Sequence, residues 1–174
     1  ETRLDLAAKN VAIARDVTAN VMKYYNGGAI MVISNPVDVI TYLVQKESGL
    51  PAGRVFGTGT VLDSARFRYF LSTRLDADIR NIHGFTAGEH GESQFAVWSS
   101  VHVSGMRLDS FCAKRGIVLD KDEVLKDTVS SGAQVIKRKG VTNYAIAAIA
   151  AELAGTVIKN KRSIFSVTSV LHDY

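Results

Sequence analysis

Residues 27–38 have the sequence GGAIMVISNPVD. A short apolar run at 29–34 behind two glycines is typical of a buried parallel strand. Asn35 then occupies an N-cap position with Pro36 as the first helical residue, and this helix is expected to end near Gly49. Residues 54–57 form a second short strand. The segment is therefore predicted to form a strand, a helix and a second strand.

Apolar periodicity and turn residues predict the other elements. A helix is expected at 2–25, and a second at 60–75, where Thr60 and Asp63 have the spacing of a capping box with Asp in place of Glu or Gln. Strands are expected at 79–86 and 97–103, helices at 121–139 and 142–159, and a strand at 163–171. The chain is thus predicted to be α/β: residues 1–57 form the second half of a doubly wound, Rossmann-type parallel sheet, and residues 58–174 form an α+β region.

Composition excludes several classes of protein. The 174 residues suit one or two domains, with 47% hydrophobic and 22% charged residues. No apolar run reaches the roughly 20 residues that cross a bilayer. The net charge is +4, but the densest basic run, residues 137–139, lies at a predicted helix end and complements the helix dipole, which disfavours nucleic-acid binding. The single cysteine, Cys112, favours a reducing, cytoplasmic setting.

A histidine between glycines is the first candidate for chemistry. His90 lies in Gly88-Glu89-His90-Gly91-Glu92, in a loop that leaves its ring accessible. An imidazole with an ordinary pKa near 6.5 suits general acid/base work at neutral pH. An ordinary surface or core histidine is the alternative. A metal site is disfavoured because neighbouring carboxylates rarely converge on one ion.

Asp63 and Arg66 project from one face of the predicted helix, three residues apart. The simplest interpretation of Asp63 is a helix cap, and that of Arg66 is an intrahelical ion pair. A guanidinium can also clamp a substrate carboxylate with two parallel hydrogen bonds, which a lysine cannot do.

Three motifs carry a resemblance to a known family. NPVD at 35–38, GTVLDSARFR at 59–68 and GEHGE at 88–92 resemble the lactate branch of the lactate/malate dehydrogenase family. The resemblance spans residues 1–174 and implies that residues 58–174 form most of an α+β substrate domain. It also implies NAD as cofactor, with His90 as proton donor and acceptor, Asp63 as the carboxylate that orients its imidazole, and Arg66 as the carboxylate clamp.

The same resemblance assigns further residues. Arg3, within Glu1-Thr2-Arg3-Leu4, would polarise the substrate ketone, although a terminal arginine is by default solvated. Asn35 would bind the reacting oxygen and Thr142 would line the substrate pocket, yet each could be only a helix cap. The nicotinamide side would be lined by Ile33, Ser34, Asn35 and Thr58.

Substrate and completeness remain open at the level of sequence. Pyruvate and L-lactate are the expected pair, with L-malate or another L-2-hydroxy acid as the alternative, because the residue that separates them in the family precedes Arg3. A Gly-x-Gly-x-x-Gly fingerprint is missing, since Gly57-Thr58-Gly59 has no third glycine at the required spacing. We therefore expect an interior segment of a longer enzyme, inactive alone. A non-catalytic oligomerisation or binding fragment is the alternative from another class.

Arg68 and His83 carry a regulatory expectation. Arg68 is two positions from Arg66, about 200° around a helix, so the two arginines cannot enter one pocket. Surface residues are the simple interpretation of both. Bacterial lactate dehydrogenases that are activated by fructose 1,6-bisphosphate resemble the chain at both positions, which implies an allosteric homotetramer that serves glycolysis or fermentation.

Overall fold

The computed structural model describes residues 3–171, with side chains from residue 8 onwards. Within that range the chain forms two units. Unit 1 holds residues 3–59, 153–163 and 167–171, and unit 2 holds residues 60–152 and 164–166.

Unit 1 contains the strand–helix–strand segment. Its elements are α1 (Arg3–Met22), β1 (Ile30–Val32), α2 (Val37–Ser48) and β2 (Val55–Gly57). The strands β1 and β2 are parallel, with Ile30 opposite Val55 and Val32 opposite Gly57. A parallel pair needs a crossover, and α2 supplies it. The buried core of the unit joins both strands to one face of α2 through Val32, Val37, Ile40, Val44 and Val55.

The start of α2 differs from the predicted one. Pro36 occupies the N-cap position, without a side-chain cap hydrogen bond, and the helix begins at Val37. The Asn35–Pro36 peptide is cis. The predicted N-cap role of Asn35 is therefore wrong, because the helix begins one residue later and leaves Asn35 outside it. The predicted end is confirmed, since Gly49 terminates the helix in the left-handed conformation (φ 63°).

Unit 2 is built on α3 (Val61–Leu75) and two small antiparallel sheets. One sheet has the order β3 (Ile82–His83), β6 (His102–Val103) and β7 (Met106–Arg107), and the other pairs β4 (Thr86–Ala87) with β5 (Phe95–Ala96). The helices α4 (Leu108–Arg115) and α5 (Lys121–Lys139) follow. The next helix, α6 (Tyr144–Ile158), has residues in both units.

One face of α3 forms the centre of the unit 2 core. Phe67, Leu71 and Leu75 recur every four residues and are fully buried, as expected for the inward stripe of a helix. They belong to one cluster with Val124 of α5 and Leu108 of α4. The Phe67 ring also packs edge-on against Trp98, with 5.1 Å between the ring centroids. Because this face of α3 is packed into the core, the polar side chains of the helix lie on its other faces.

The predicted α/β fold is confirmed, with differences in the details. The strands expected at 79–86 and 97–103 are interrupted by 3₁₀ turns at Ile79–Asn81 and Trp98–Ser100. No strand forms at 163–171, where Thr168 makes only an isolated bridge to Gly57. That prediction is wrong because β-branched residues form a strand only where an edge is available for pairing. The helix α4 was not predicted.

Candidate functional site

The polar face of α3 carries a buried carboxylate between a guanidinium and an imidazole. The Asp63 side chain is only 3% exposed, its Oδ1 lies 3.2 Å from Arg66 Nη1, and its Oδ2 lies 2.5 Å from His90 Nδ1. A buried carboxylate is costly unless paired, and these two contacts satisfy both of its oxygens. Because a carboxylate only accepts, Nδ1 is the protonated nitrogen of a neutral His90 ring.

The hairpin between β4 and β5 presents His90 to Asp63. The strands pair Thr86 with Ala96 and Ala87 with Phe95, and the connecting residues carry the histidine. Gly88 turns the chain at φ 89°, and a Cβ there would lie 3.2 Å from the Phe95 ring. A glycine is therefore needed where the strand enters the loop. The predicted loop position of His90 between glycines has this physical basis.

Two further contacts hold the loop itself. Ser93 Oγ donates to Glu89 Oε2 at 2.5 Å, and Gln94 Nε2 donates to the Gly91 carbonyl at 3.0 Å. Gln94 is 6% exposed, and its Oε1 has no hydrogen-bond partner among the described residues. A hydrogen bond from Gln94 therefore holds Gly91, the residue that follows His90.

The predicted capping box at the start of α3 is wrong. Thr60 occupies the N-cap position without a side-chain cap hydrogen bond, and its hydroxyl donates to the Thr86 carbonyl at 2.7 Å. Asp63 points to His90 and Arg66. Both side chains therefore make tertiary bonds, which compete with local capping.

The structure brings three of the predicted site residues into direct contact: Asp63, Arg66 and His90. Arg66 also lies close to α5, since a Cβ added at Gly132 would be 3.5 Å from its Nη1. Thr142 is half-buried and precedes α6, and the Tyr144 amide donates to Asn143 Oδ1, so Asn143 contacts the start of that helix. The side chain of Arg3 lies outside the described residues.

The residues predicted to bind the cofactor belong to unit 1. Ile33, Ser34 and Asn35 follow β1 and are exposed, whereas Thr58 follows β2 and is buried. The carboxyl ends of parallel strands are where ligands bind in open α/β sheets. The first three residues also line a cavity of about 530 Å³ between α1 and β1. Apolar side chains such as Ile13 and Val17 line the rest of this cavity, which suits a flat, partly apolar ring system.

A second cavity, of about 480 Å³, lies within unit 2 and is lined by Arg68 of α3 and by His83. Arg68 Nη1 donates to the Gly84 carbonyl at 3.1 Å. Burial lowers the pKa of the Arg68 guanidinium, and the Glu152 carboxylate opposes that shift. Arg80 and Glu152 also line the cavity. As predicted from their spacing, Arg66 and Arg68 point to different places.

A group of mostly buried hydroxyls next to Asp63 was not predicted from the sequence. Ser64 Oγ accepts from the Thr86 amide at 3.0 Å and lies 3.0 Å from Ser166 Oγ. The spacing of Thr60 and Ser64, one helical turn apart on α3, was the available signal.

Comparison with known proteins shows the family. The model described as lactate/malate dehydrogenase, NAD binding domain, matches residues 1–57, and the model described as lactate/malate dehydrogenase, alpha/beta C-terminal domain, matches residues 60–174. The chain belongs to the lactate/malate dehydrogenase family. The L-lactate dehydrogenase of Thermoanaerobacter pseudethanolicus is 42% identical over 98% of the chain and 56% of its own length. The L-lactate dehydrogenase A chain of Ambystoma mexicanum is 44% identical over 97% of the chain and 52% of its own length.

Solved structures agree with the family assignment. An L-lactate dehydrogenase from Clostridium thermocellum superposes with a TM-score of 0.89 at 49% identity, over 99% of this chain and 57% of that one. The minor L-lactate dehydrogenase from Enterococcus mundtii, in a ligand-bound form, gives a TM-score of 0.93 at 36% identity, over 99% and 55%. The chain therefore spans a little over half the length of these relatives.

The described part of the chain shows neither a metal-ligating cluster nor a membrane-spanning helix. Among residues 8–171, whose side chains the structure describes, no group of three or more His, Cys, Asp or Glu could hold a metal ion. None of the helices within residues 3–171 combines the length and apolar character needed to span a membrane.

Proposed function

We propose that the chain is the part of an NAD-dependent L-lactate dehydrogenase subunit that carries its proton-transfer and carboxylate-binding residues. The observation that carries the proposal is the buried Asp63 carboxylate, bonded to His90 Nδ1 at 2.5 Å and to Arg66 Nη1 at 3.2 Å. The L-lactate dehydrogenases that are 42–44% identical over nearly the whole chain support it.

The chemistry follows from the protonation of His90. Asp63 holds the Nδ1 proton and fixes the ring, so Nε2 is the atom that exchanges a proton with the substrate oxygen. In reduction, His90 in its doubly protonated form gives the Nε2 proton to the ketone oxygen of pyruvate, and the Asp63 charge stabilises that form beforehand. When bound, NADH would supply a hydride for the 2-carbon of the substrate. In lactate oxidation, the same nitrogen receives the hydroxyl proton.

Binding roles are proposed for the remaining site residues. Arg66 holds the substrate carboxylate with its guanidinium fork. Arg3 polarises the ketone, Asn35 binds the reacting oxygen and Thr142 lines the substrate pocket. NAD fits the exposed residues after β1 together with the adjoining apolar cavity, with Ile33, Ser34, Asn35 and Thr58 along the nicotinamide side.

The test is NADH oxidation by the full-length subunit with pyruvate, oxaloacetate and a branched 2-oxo acid as substrates. We expect pyruvate to give the highest kcat/KM. His90→Asn should lower turnover by about 10²-fold or more, because proton transfer typically contributes about 10²–10⁴-fold, and should leave NADH binding nearly unchanged.

His102→Asn is the matched control, because the His102 Nδ1 contact is to the Ser100 carbonyl in another hairpin. Preference for oxaloacetate would identify a malate dehydrogenase. Lack of turnover with all three substrates would favour a non-catalytic oligomerisation or binding module.

For regulation, we propose that the Arg68 and His83 cavity binds fructose 1,6-bisphosphate in a homotetramer. A guanidinium, an imidazole and the nearby Arg80 offer positive charge to a phosphate, and Glu152 moderates it. A two-fold axis would pair two such cavities against the two phosphates.

The test of regulation is pyruvate kinetics with and without the bisphosphate at about pH 6. Activation by the bisphosphate is expected. Arg68→Gln should abolish it, while Arg115→Gln, which alters an arginine stacked on Phe111, should not. Identical curves at pH 6 with and without the effector would contradict the proposal.

The division of labour between the two parts of the chain is also a proposal. Residues 1–57 would serve as the second half of the dinucleotide-binding domain and residues 58–174 as the substrate domain. The family models that match 1–57 and 60–174 support this division. A cytoplasmic role in glycolysis or fermentation stays a prediction.

A further inference from the structure

A cluster of mostly buried hydroxyls joins the start of α3 to the β4–β5 hairpin that carries His90. Its members are Thr60 at the N-cap of α3, Ser64 on α3, Thr86 at the start of β4 and the half-buried Ser166, and we call it the hydroxyl cluster. Thr60, Ser64 and Thr86 are 2%, 3% and 0% exposed. Buried polar groups persist only where they are hydrogen-bonded, so the bonds within the cluster fix the positions of the segments they join.

Ser64 is the centre of the cluster. Its Oγ accepts from the Thr86 amide at 3.0 Å and lies 3.0 Å from Ser166 Oγ and 3.5 Å from Thr86 Oγ1. Thr60 adds a second tie between the same elements, because its hydroxyl donates to the Thr86 carbonyl at 2.7 Å. Both backbone polar groups of Thr86 are therefore hydrogen-bonded by the side chains of Thr60 and Ser64.

These bonds adjoin the two halves of the candidate active site. Asp63 immediately precedes Ser64 on α3, and His90 follows Thr86 by four residues along the hairpin. The separation between α3 and the start of β4 therefore sets where the His90 ring lies relative to the Asp63 carboxylate. We propose that Ser64 is a positioning residue, whose hydroxyl holds the His90 hairpin at the distance that the Asp63–His90 hydrogen bond requires.

The size of the effect follows from two properties of hydrogen bonds. Replacing Ser64 by alanine leaves the buried Thr86 amide without its side-chain acceptor, which favours a shift of the hairpin away from α3. Hydrogen bonds weaken steeply with length and misalignment, and a misplacement of about 1 Å in an active site can cost about 10²-fold in rate. Thr60 still holds the Thr86 carbonyl, so we expect a smaller fall in kcat, of about tenfold.

The experiment uses the full-length subunit with Ser64→Ala, Ser64→Thr and Ser72→Ala. Ser64→Thr keeps the hydroxyl oxygen, and Ser64 is one of the residues that line the second cavity. Ser72→Ala is the matched control on the same helix, because the Ser72 hydroxyl donates to the Tyr69 carbonyl one turn earlier in that helix. Two quantities are measured: kcat and KM for the 2-oxo acid, and the downfield proton resonance of the His90 Nδ1–H bond to Asp63.

This inference rests on the proposed function for its kinetic part only. We expect Ser64→Ala to lower kcat about tenfold with KM changed less than about twofold, since Arg66 is untouched. The resonance should move upfield and broaden. Ser64→Thr should restore both quantities, and Ser72→Ala should change neither.

Wild-type kcat and an unchanged resonance in Ser64→Ala would overturn the inference, even if the variant were less stable. If Ser64→Ala does not fold, Ser166→Ala removes one partner of Ser64 and should give a smaller change of the same kind in both quantities; no change would overturn the inference. If the wild-type subunit reduces no 2-oxo acid, the proposed function fails, while the resonance still tests Ser64.

Discussion

Replacing Arg66 by lysine tests the carboxylate clamp most directly. The Arg66 side chain is 15% exposed, and its Nη1 lies 3.2 Å from Asp63 Oδ1. The fork can therefore serve the buried carboxylate and a ligand at the same time. A lysine ammonium is a single point of charge, and the buried Asp63 carboxylate would compete with the substrate for it.

The expected magnitude follows from one lost charge-assisted hydrogen bond. Such a bond contributes about 1.5–3 kcal/mol, which corresponds to a rise of about 10- to 150-fold in KM for pyruvate. The dissociation constant of NADH should change little, because the residues proposed to bind the cofactor are on unit 1.

The assay combines steady-state pyruvate kinetics with a fluorescence titration of NADH on the full-length subunit. Arg74→Lys is the control on the same helix, since Arg74 pairs with Asp127 and Glu123 of α5 and is not among the residues proposed to bind the substrate. Thermal unfolding of each variant shows whether the fold is retained. Equal weakening of pyruvate and NADH by Arg66→Lys, or a pyruvate KM within about twofold of wild type, would refute the clamp.

Two further predictions concern reactivity and stability. Burial, with a contribution from Asp109, raises the pKa of the Cys112 thiol, so at a given pH less thiolate is present and iodoacetamide should react more slowly than with free glutathione; an equal or faster rate would contradict the burial of this thiol. Gly132→Ala should stabilise α5 by about 1 kcal/mol and raise the melting temperature by about 2–4 °C, since its Cβ would meet Arg66 Nη1 at an ordinary 3.5 Å. A lower melting temperature would show that this space is not available.

The elements that were predicted best from the sequence are those with strongly periodic apolar residues. The predicted helix at 60–75 corresponds to Val61–Leu75, and the helix at 121–139 to Lys121–Lys139. In α3, Phe67, Leu71 and Leu75 form one inward stripe, so burial and helical periodicity coincide. The strand–helix–strand pattern at 29–57 was equally clear, because a buried parallel strand is apolar throughout.

Pairing between distant segments could not be predicted from local composition. Residues 163–171 are rich in β-branched side chains, yet the one β-bridge within this range is the isolated bridge between Thr168 and Gly57. The Thr60 amide bonds to the nearby Ser166 carbonyl instead of to a strand. Whether a β-prone segment becomes a strand depends on a free edge, which is a property of the folded chain.

The start of α3 shows why local rules fail where chemistry is concentrated. A cap hydrogen bond from Asp63 to its own helix contributes about 1 kcal/mol, whereas a hydrogen bond to a charged partner contributes about 1.5–3 kcal/mol. With His90 and Arg66 both within reach, the carboxylate gains more by turning away from the helix end. It can do so only because α3 and the hairpin are held together by Thr60 and Ser64, through bonds to Thr86. The same competition that keeps Asp63 from capping its own helix therefore forms the Asp63–His90 pair. A buried acidic residue that lies at a capping position and does not cap the helix is itself a signal of function.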